Sequence, residues 1–111
     1  MIGCDIIEIE RLKKSYIKYG EKFLDKILST KEKKIFFTKH LNKYSFLAGR
    51  FAAKEAVIKC LDKTIISYNK IEILNDKSGK PFIVIDNSVR DDLKLSISHS
   101  RDYAMAVCLK I

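Results

Sequence analysis

Two acidic side chains, and basic residues near one of them, have the types and spacing needed to bind a divalent cation together with phosphate groups. Asp5 lies inside an apolar run at residues 2–9, where a carboxylate requires a partner. Glu55 lies in an Ala-rich segment and precedes Lys59 by four residues, so both would share a helix face. Magnesium takes one or two protein carboxylates and completes its octahedron with water and substrate phosphates. Asp5 and Glu55 are therefore candidate magnesium ligands; the alternative interpretation is a strand-edge charge and a surface Glu55–Lys59 pair.

Further cations close to these acids could bind phosphates. Arg50 and Lys54, also four residues apart, lie in the same segment as Glu55. With Lys59 and Lys80 they could neutralise a pyrophosphate and one further phosphate. Lys80 belongs to a Gly-Lys-Pro turn at residues 79–81, and a Ser-x-Ser-His-Ser segment ends at residue 100. Each of these motifs is common, so none identifies a function alone.

The hydrophobic pattern predicts the elements that would position these residues. Alternating β-branched residues predict strands, whereas apolar residues that recur every three or four positions predict helices. We expect strands over residues 2–9, 70–75, 81–85, 94–98 and 103–110, and helices over 10–19, 21–28, from Ser29 or Thr30 onwards, and over about 42–61 with Asn42 as N-cap. A strand, several helices including one long central helix, and then antiparallel strands form an α+β fold. No linker or repeat divides the chain, so we expect one domain over residues 1–111.

The positive charge of the chain is concentrated in its N-terminal third. The formal net charge is +8, and residues 11–43 carry eleven Lys or Arg against three acids, which accounts for the whole excess. Arg11, Lys14 and Lys18 follow helical spacing and share one face, and Lys22 and Lys26 are exposed on the next predicted helix. Such a surface attracts an acidic partner, or it only keeps the protein solvated. Charge alone does not choose between nucleic acid, a membrane and an acidic protein.

Composition indicates in which cellular compartment the protein would be located. No run of about 18 apolar residues is present, so we expect no membrane-spanning helix. The first residues lack a basic segment followed by an apolar stretch, so we expect no signal peptide. The three cysteines (Cys4, Cys60 and Cys108) lack metal-ligand spacing and are typical of small buried residues in a reducing cytoplasm.

Taken together, four segments resemble the holo-[acyl-carrier-protein] synthase family, the short bacterial 4′-phosphopantetheinyl transferases. They are a Gly-x-Asp-Ile strand at residues 3–6, an Arg-Phe-Ala-x-Lys-Glu-Ala-x-x-Lys helix at 50–59, the Gly-Lys-Pro turn at 79–81 and the Ser-x-Ser-His-Ser strand end at 96–100. One departure follows the long helix, where many relatives have a Gly-Thr-Gly-like loop and this chain has Asp-Lys-Thr-Ile at residues 62–65. The resemblance implies an α+β fold and a cytoplasmic homotrimer whose active sites lie between neighbouring subunits.

The resemblance also implies roles for individual residues. Asp5 and Glu55 match the magnesium ligands of the family, and Lys59 matches a lysine near the transferred phosphate; these three are the catalytic candidates. The positions that match the coenzyme A cleft are Arg50, Lys54, Gly79, Lys80, Pro81, His99 and Ser100. The basic helix that begins at Arg11 resembles the docking surface for acyl carrier protein, a small acidic protein, and Lys14, Lys18, Lys22 and Lys26 extend that surface. The charge distribution calls for the same kind of partner.

The implied reaction transfers the 4′-phosphopantetheine group of coenzyme A to a serine of apo acyl carrier protein. The products are holo acyl carrier protein, for fatty acid biosynthesis, and 3′,5′-ADP. Magnesium would stabilise the developing charge, and Glu55 or a metal-bound water would take the serine proton. His99 could also take it, but its match favours orienting the nucleotide end, and a structural histidine at a strand end is the remaining interpretation.

Two other classes of protein explain part of the pattern. A small basic nucleic-acid-binding module would explain the charge, but it leaves Asp5, Glu55 and the Gly-Lys-Pro turn without a role. Its basic helices would also lack interleaved exposed aromatic residues for stacking bases. An inactive domain that only binds carrier protein would have no need of both candidate metal ligands. The sequence therefore predicts an enzyme that binds neither nucleic acid nor a membrane.

Overall fold

The computed structural model describes residues 1–62 and 66–111, and in these residues the chain has an α+β architecture. The helices are α1 (Ile9–Tyr19), α2 (Glu21–Ile27), α3 (Thr30–Thr38) and α4 (Lys43–Leu61), and a short 3-10 helix spans Tyr68–Lys70. The strands are β1 (Ile2–Glu8), β2 (Ile71–Asn75), β3 (Pro81–Ile85), β4 (Ser88–Val89), β5 (Leu93–His99) and β6 (Tyr103–Lys110). This order confirms the predicted fold class. No helix in the described part of the chain has both the length and the apolar character that crossing a bilayer requires.

Most predicted elements are present with bounds shifted by one or two residues, and the differences have local causes. Of the two predicted starts of α3, Ser29 and Thr30, the structure has Ser29 as the N-cap. Its hydroxyl accepts from the backbone N–H of Glu32, whose carboxylate accepts from the N–H of Ser29 in return. Asn42 is the N-cap residue of α4, as predicted, but its side chain makes no capping hydrogen bond. The short strand β4 was not predicted; Asp86 and Asn87, with φ of 51° and 64°, form the turn that leads into it. Residues 63–65, where the sequence departs from the family pattern, lie outside the described residues.

Two three-stranded antiparallel sheets, with strand orders β1-β6-β5 and β2-β3-β4, are present in the described residues. β1 pairs with β6 in a register that places Asp5 opposite Ala106. β6 also pairs with β5, which places His99 opposite Ala104. The two ends of the chain therefore meet in one sheet, and this sheet carries candidate residues from the first and the last segments of the sequence.

Helix α4 packs closely on β1 and β6 of the first sheet. Gly3 lies so near the helix that a Cβ atom there would be 2.1 Å from the carbonyl oxygen of Ala56. Side-chain carbons do not approach backbone oxygens so closely, and only glycine fits at this position. Four alanines of α4 are fully buried: Ala48, Ala52, Ala53 and Ala56. This contact between small residues brings the side of α4 that carries Lys59 next to the strand that carries Asp5.

The shorter helices also contribute side chains to the core. Leu24 of α2, Phe36 of α3 and Leu47 of α4 are all at most 1% exposed. The ring of Tyr16 on α1 meets the ring of Phe36 edge to face, with centroids 5.2 Å apart. The contact links α1, which carries Arg11 and two of the lysines predicted to dock a partner, to the rest of the molecule.

Candidate active site

Asp5 on β1 and Lys59 on α4 meet where the helix packs on the strand. The Nζ atom of Lys59 lies 3.4 Å from Oδ1 of Asp5 and donates a 3.0 Å hydrogen bond to the carbonyl oxygen of Cys4. The side chain of Asp5 is 18% exposed and that of Lys59 is 55% exposed. Lys59 therefore forms its ion pair across the helix–sheet contact, with Asp5, and not along the helix with Glu55.

Glu55 places a second carboxylate near Asp5. Burial raises the pKa of Asp5 above its ordinary value, the contact with Lys59 opposes that rise, and the negative charge of Glu55 adds to it. Within the described residues, no group of three or more His, Cys, Asp and Glu side chains is arranged to hold a metal ion. Two carboxylates nonetheless fit magnesium, since this ion takes its remaining ligands from water and from substrate phosphates.

Tyr68, in the short 3-10 helix, is a member of this cluster that sequence reasoning missed. Its hydroxyl donates a 2.5 Å hydrogen bond to Oε1 of Glu55, and its ring stacks at a tilt on Phe51, with centroids 5.3 Å apart. Burial, followed by the hydrogen bond to Glu55, raises the pKa of Tyr68 to about 12, so the hydroxyl keeps its proton and acts as a donor. No spacing rule connects residues 55 and 68, because the chain between them leaves the helix.

A second group of candidate residues lines an open cavity of about 500 Å³ beside the first sheet. The lining consists of Arg50, Asn75, Gly79, Lys80, Pro81, Leu95, Ser96, Ile97 and His99. Five residues predicted to form the coenzyme cleft are thus brought together from α4, the β2–β3 turn and β5. A larger cavity of about 600 Å³ is lined by residues from 25–33, 69–72 and 86–87. It contains none of the predicted site residues, and its lining includes both acids and lysines.

Arg50 is the buried cation of the 500 Å³ cavity. Its guanidinium lies 4.5 Å from the ring centroid of Phe46, and its Nη2 donates a 3.3 Å hydrogen bond to Asn75. Its Nε is buried without a partner in the described part of the chain. Burial lowers the pKa of Arg50, but a guanidinium keeps its charge in proteins. A buried cation with an unpaired N–H at the edge of an open cavity suits an anionic ligand.

Lys54 does not lie at the surface of this cavity, contrary to the expectation that it lines the coenzyme cleft. Its side chain is 0% exposed, and its Nζ lies 2.5 Å from Oε1 of Glu32. The same ammonium donates to the carbonyl oxygens of Ile27 and Tyr68, at 2.6 and 3.0 Å. These three acceptors use all three ammonium protons, so Lys54 is a buried structural cation.

His99 and Ser100 have different surroundings, although they are adjacent in sequence. Nε2 of His99 lies 3.0 Å from the carbonyl oxygen of Ser45 at the start of α4, and the ring lines the cavity with Lys80. Ser100 lies in the β5–β6 turn, where its hydroxyl accepts a 3.0 Å hydrogen bond from the backbone N–H of Tyr103. Ser100 therefore shapes the turn after β5 and is not among the residues that line the cavity.

The predicted docking residues form an exposed basic surface on the first two helices. Arg11, Lys14 and Lys18 are exposed on α1, and Lys22 and Lys26 are exposed on α2. None of the five forms an ion pair with another residue of the described chain. This surface therefore presents its charge outwards, to a partner or to solvent.

Comparison with known proteins gives a family for this combination of fold and site. A family model, the 4′-phosphopantetheinyl transferase superfamily, matches residues 1–108. A holo-[acyl-carrier-protein] synthase from Geobacillus sp. (strain WCH70) is 50% identical over 109 residues, which cover 95% of this chain and 90% of the relative. The fold is also similar to two solved holo-[acyl-carrier-protein] synthases. The enzyme from Bacillus anthracis, in complex with CoA (3′,5′-ADP), has a TM-score of 0.82 and 37% identity over 96% of this chain and 91% of its own.

The second structure, from Helicobacter pylori in complex with coenzyme A, has a TM-score of 0.86 and 32% identity, and each chain covers 100% of the other. These similarities extend over nearly the full length of the chain, so they include both the Asp5–Glu55 cluster and the 500 Å³ cavity. The chain belongs to the 4′-phosphopantetheinyl transferase superfamily and, within it, to the holo-[acyl-carrier-protein] synthases.

Proposed function

We propose that this chain transfers 4′-phosphopantetheine from coenzyme A to a serine of apo acyl carrier protein, for fatty acid biosynthesis. The observation that carries the proposal is the meeting of Asp5, Glu55 and Lys59 at the contact of β1 and α4. The open cavity that Arg50 and Lys80 line supplies a place for an anionic cofactor. Relatives from Bacillus anthracis and Helicobacter pylori bind coenzyme A, which is the phosphate-rich molecule that such a cavity suits.

The group that moves is a phosphoryl-linked arm, and the residues of the chain act on its charge. The serine oxygen of the carrier protein forms a new bond to the phosphorus atom, and the bond from that phosphorus to 3′,5′-ADP breaks. Lys59 and Lys80 counter the negative charge that develops on the phosphate oxygens, while Arg50 holds the leaving nucleotide. The serine proton must leave as the bond forms, and Glu55 is the carboxylate of the cluster suited to accept it.

Asp5 and Glu55 are the residues that would hold Mg²⁺. Bound there, the ion would stabilise charge on the diphosphate and orient it. Oε1 of Glu55 accepts from Tyr68, and its other carboxylate oxygen makes no hydrogen bond within the described residues, so it suits a further partner. Lys54, which is buried, has no part in this proposal.

The experiment is to mix the protein with apo acyl carrier protein, coenzyme A and Mg²⁺ and to weigh the carrier protein by mass spectrometry. We expect the mass of one phosphopantetheine group to be added by the wild type. Glu55→Gln and Asp5→Asn should lose this activity while remaining folded by circular dichroism. The matched control is Glu72→Gln, on β2 away from the cluster. Normal transfer by Glu55→Gln would exclude the proposed cation site, and no transfer by the wild type would exclude the function.

We also propose that three copies assemble through the outer face of the first sheet, with the active sites between neighbouring subunits. Four apolar side chains of this face are between 44% and 67% exposed: Ile2, Ile6, Met105 and Leu109. Their register pairs Ile2 with Leu109 and Ile6 with Met105, so they form one continuous patch. A contiguous exposed apolar patch on a sheet marks an interaction surface.

The assembly is tested by light scattering coupled to size-exclusion chromatography. The wild type should have the mass of three chains, whereas Ile6→Asp, which buries a charge at the patch, should be monomeric. Val89→Asp is the matched control, because Val89 is 56% exposed on the other sheet. A monomeric wild type would refute the trimer.

We also propose that the protein is located in the cytoplasm. Cys4, Cys60 and Cys108 are free thiols, which suits the reducing conditions of that compartment.

A further inference from the structure

Tyr68 and Glu55 belong to two different helices and are joined by a close contact between their side chains. Glu55 is on α4, whereas Tyr68 lies in the 3-10 helix that leads into β2. The hydroxyl of Tyr68 donates to Oε1 of Glu55 at 2.5 Å, the short distance of a hydrogen bond to a charged acceptor. The carboxylate that the proposed function assigns to the metal is therefore held at one oxygen by a neutral donor.

The position of Tyr68 is itself determined by buried contacts. Its ring stacks on Phe51, one turn of α4 before Glu55. Its carbonyl oxygen accepts a 3.0 Å hydrogen bond from the ammonium of Lys54, which is held in turn by the buried carboxylate of Glu32. A chain of packed and hydrogen-bonded groups thus extends from Glu32 through Lys54 and Tyr68 to Glu55. The hydroxyl of Tyr68 is consequently a rigid donor.

We propose that Tyr68 is a positioning residue that holds the Glu55 carboxylate beside Asp5 and so prepares the pair to bind a divalent cation. This inference rests on the proposed function. Without the hydroxyl, the Glu55 side chain has several rotamers, and repulsion from the nearby Asp5 charge favours those that point away from it. Metal binding must then restrict the Glu55 rotamers and overcome this repulsion, and both cost binding free energy. With the hydroxyl present, the fold has already restrained the carboxylate, so the metal does not have to supply that free energy.

Through the same chain of contacts, Lys54 supports the proposed cation site without touching it. Lys54 does not touch the proposed cation site, but its ammonium fixes the backbone of the residue that restrains Glu55. The buried Lys54–Glu32 pair would therefore support the site through Tyr68.

The test is Tyr68→Phe, which keeps the ring on Phe51 and the carbonyl bond to Lys54 and removes the hydroxyl alone. Mn²⁺ is titrated into protein saturated with coenzyme A, and free Mn²⁺ is measured by electron paramagnetic resonance. We expect the Kd for Mn²⁺ to rise about tenfold, the lower end of the usual effect of removing a group that orients a metal ligand. Tyr16→Phe is the matched control, since it removes a hydroxyl from another half-buried ring and should leave the Kd unchanged.

A second readout separates positioning from a general structural role. At low Mg²⁺ the transfer rate of Tyr68→Phe should fall in proportion to lost metal binding, and saturating Mg²⁺ should restore kcat to that of the wild type. An unchanged Kd for Mn²⁺, or a rate that saturating Mg²⁺ does not restore, would overturn the inference.

Glu55→Gln in the same Mn²⁺ titration distinguishes a failure of the positioning role from a failure of the cation site. If Glu55→Gln loses Mn²⁺ binding and Tyr68→Phe does not, the positioning role is wrong and the cation site stands. If Glu55→Gln binds Mn²⁺ as the wild type does, the cation site itself is wrong and the positioning role fails with it.

Discussion

Gly49 on α4 and His99 at the end of β5 approach so closely that a Cβ atom at residue 49 would lie 2.6 Å from Nε2 of His99. The same Nε2 lies 3.0 Å from the carbonyl oxygen of Ser45, one turn earlier on the helix. The absence of a side chain at residue 49 therefore lets the imidazole lie against α4 while its ring lines the 500 Å³ cavity.

Gly49→Ala should displace the His99 ring from Ser45 and weaken coenzyme A binding. The loss of about one hydrogen bond corresponds to a several-fold rise in the KM for coenzyme A. Alanine also favours the helix by about 1 kcal/mol relative to glycine, so the protein should remain folded. Steady-state kinetics with coenzyme A as the varied substrate measure the effect. In a His99→Ala background the same substitution should add nothing to the KM, and additive effects would show that His99 is not the group displaced.

Charge reversal on α1 should weaken docking of acyl carrier protein without affecting coenzyme A. In Arg11→Glu/Lys14→Glu the basic surface becomes locally acidic and repels an acidic partner, so the KM for carrier protein should rise about tenfold or more. The KM for coenzyme A should not change. Added salt should reduce the difference between variant and wild type, since it screens exposed charges. Lys70→Glu makes the same kind of charge change away from α1 and serves as control; equal effects on both substrates would refute the docking assignment.

Lys54→Met should destabilise the protein far more than loss of an exposed lysine does. Burial lowers the pKa of Lys54, and Glu32 opposes the shift; removing the ammonium leaves the Glu32 carboxylate buried without its cation. Such a loss costs about 3–5 kcal/mol of unfolding free energy. Urea unfolding followed by circular dichroism measures it. Lys33→Met is the control, because its pairs with Glu21 and Asp25 are exposed and should contribute little. A Lys54→Met variant as stable as Lys33→Met would contradict the structural role assigned to this lysine.

Asp92 should contribute stability that is lost in acid. Two hydrogen bonds from Arg90, at 2.9 and 2.8 Å, lower the pKa of Asp92 from 3.8 to about 2. A carboxyl whose pKa is lower in the folded state stabilises the protein at pH values above its unfolded pKa, and this contribution is lost as the pH falls towards the folded pKa. The window therefore runs from 3.8 down to about 2. Asp92→Asn should show a smaller fall in urea midpoint across it than the wild type.

The pairing itself can be checked through Arg90→Gln. Without the guanidinium, the Asp92 carboxyl should titrate closer to its ordinary value when its carbon resonance is followed by NMR. A wild-type Asp92 that already titrates near 3.8 would contradict the pairing.

Local sequence patterns were sufficient to predict the helices and strands and most of the candidate residues that line the 500 Å³ cavity. Alternation and helical periodicity act over a few neighbouring residues, so they located β1, α4 and β5 to within one or two residues. The Gly-Lys-Pro turn and His99 were recognised as motifs, and the structure places both at one cavity. The +8 charge was likewise assigned to residues 11–43, because charge can be counted without a fold.

The environment of each side chain was decided only by tertiary packing. Helical spacing predicts that Arg50 and Lys54 share one side of α4. It could not show that Glu32 of α3 pairs with a buried Lys54, whereas Arg50 borders an open cavity. Tyr68 reaches Glu55 because the short 3-10 helix lies against α4, where the Tyr68 ring also packs on Phe51. Sequence spacing indicates which residues share one face of a helix or strand. Which faces pack against each other depends on contacts between distant segments, and no local pattern encodes these contacts.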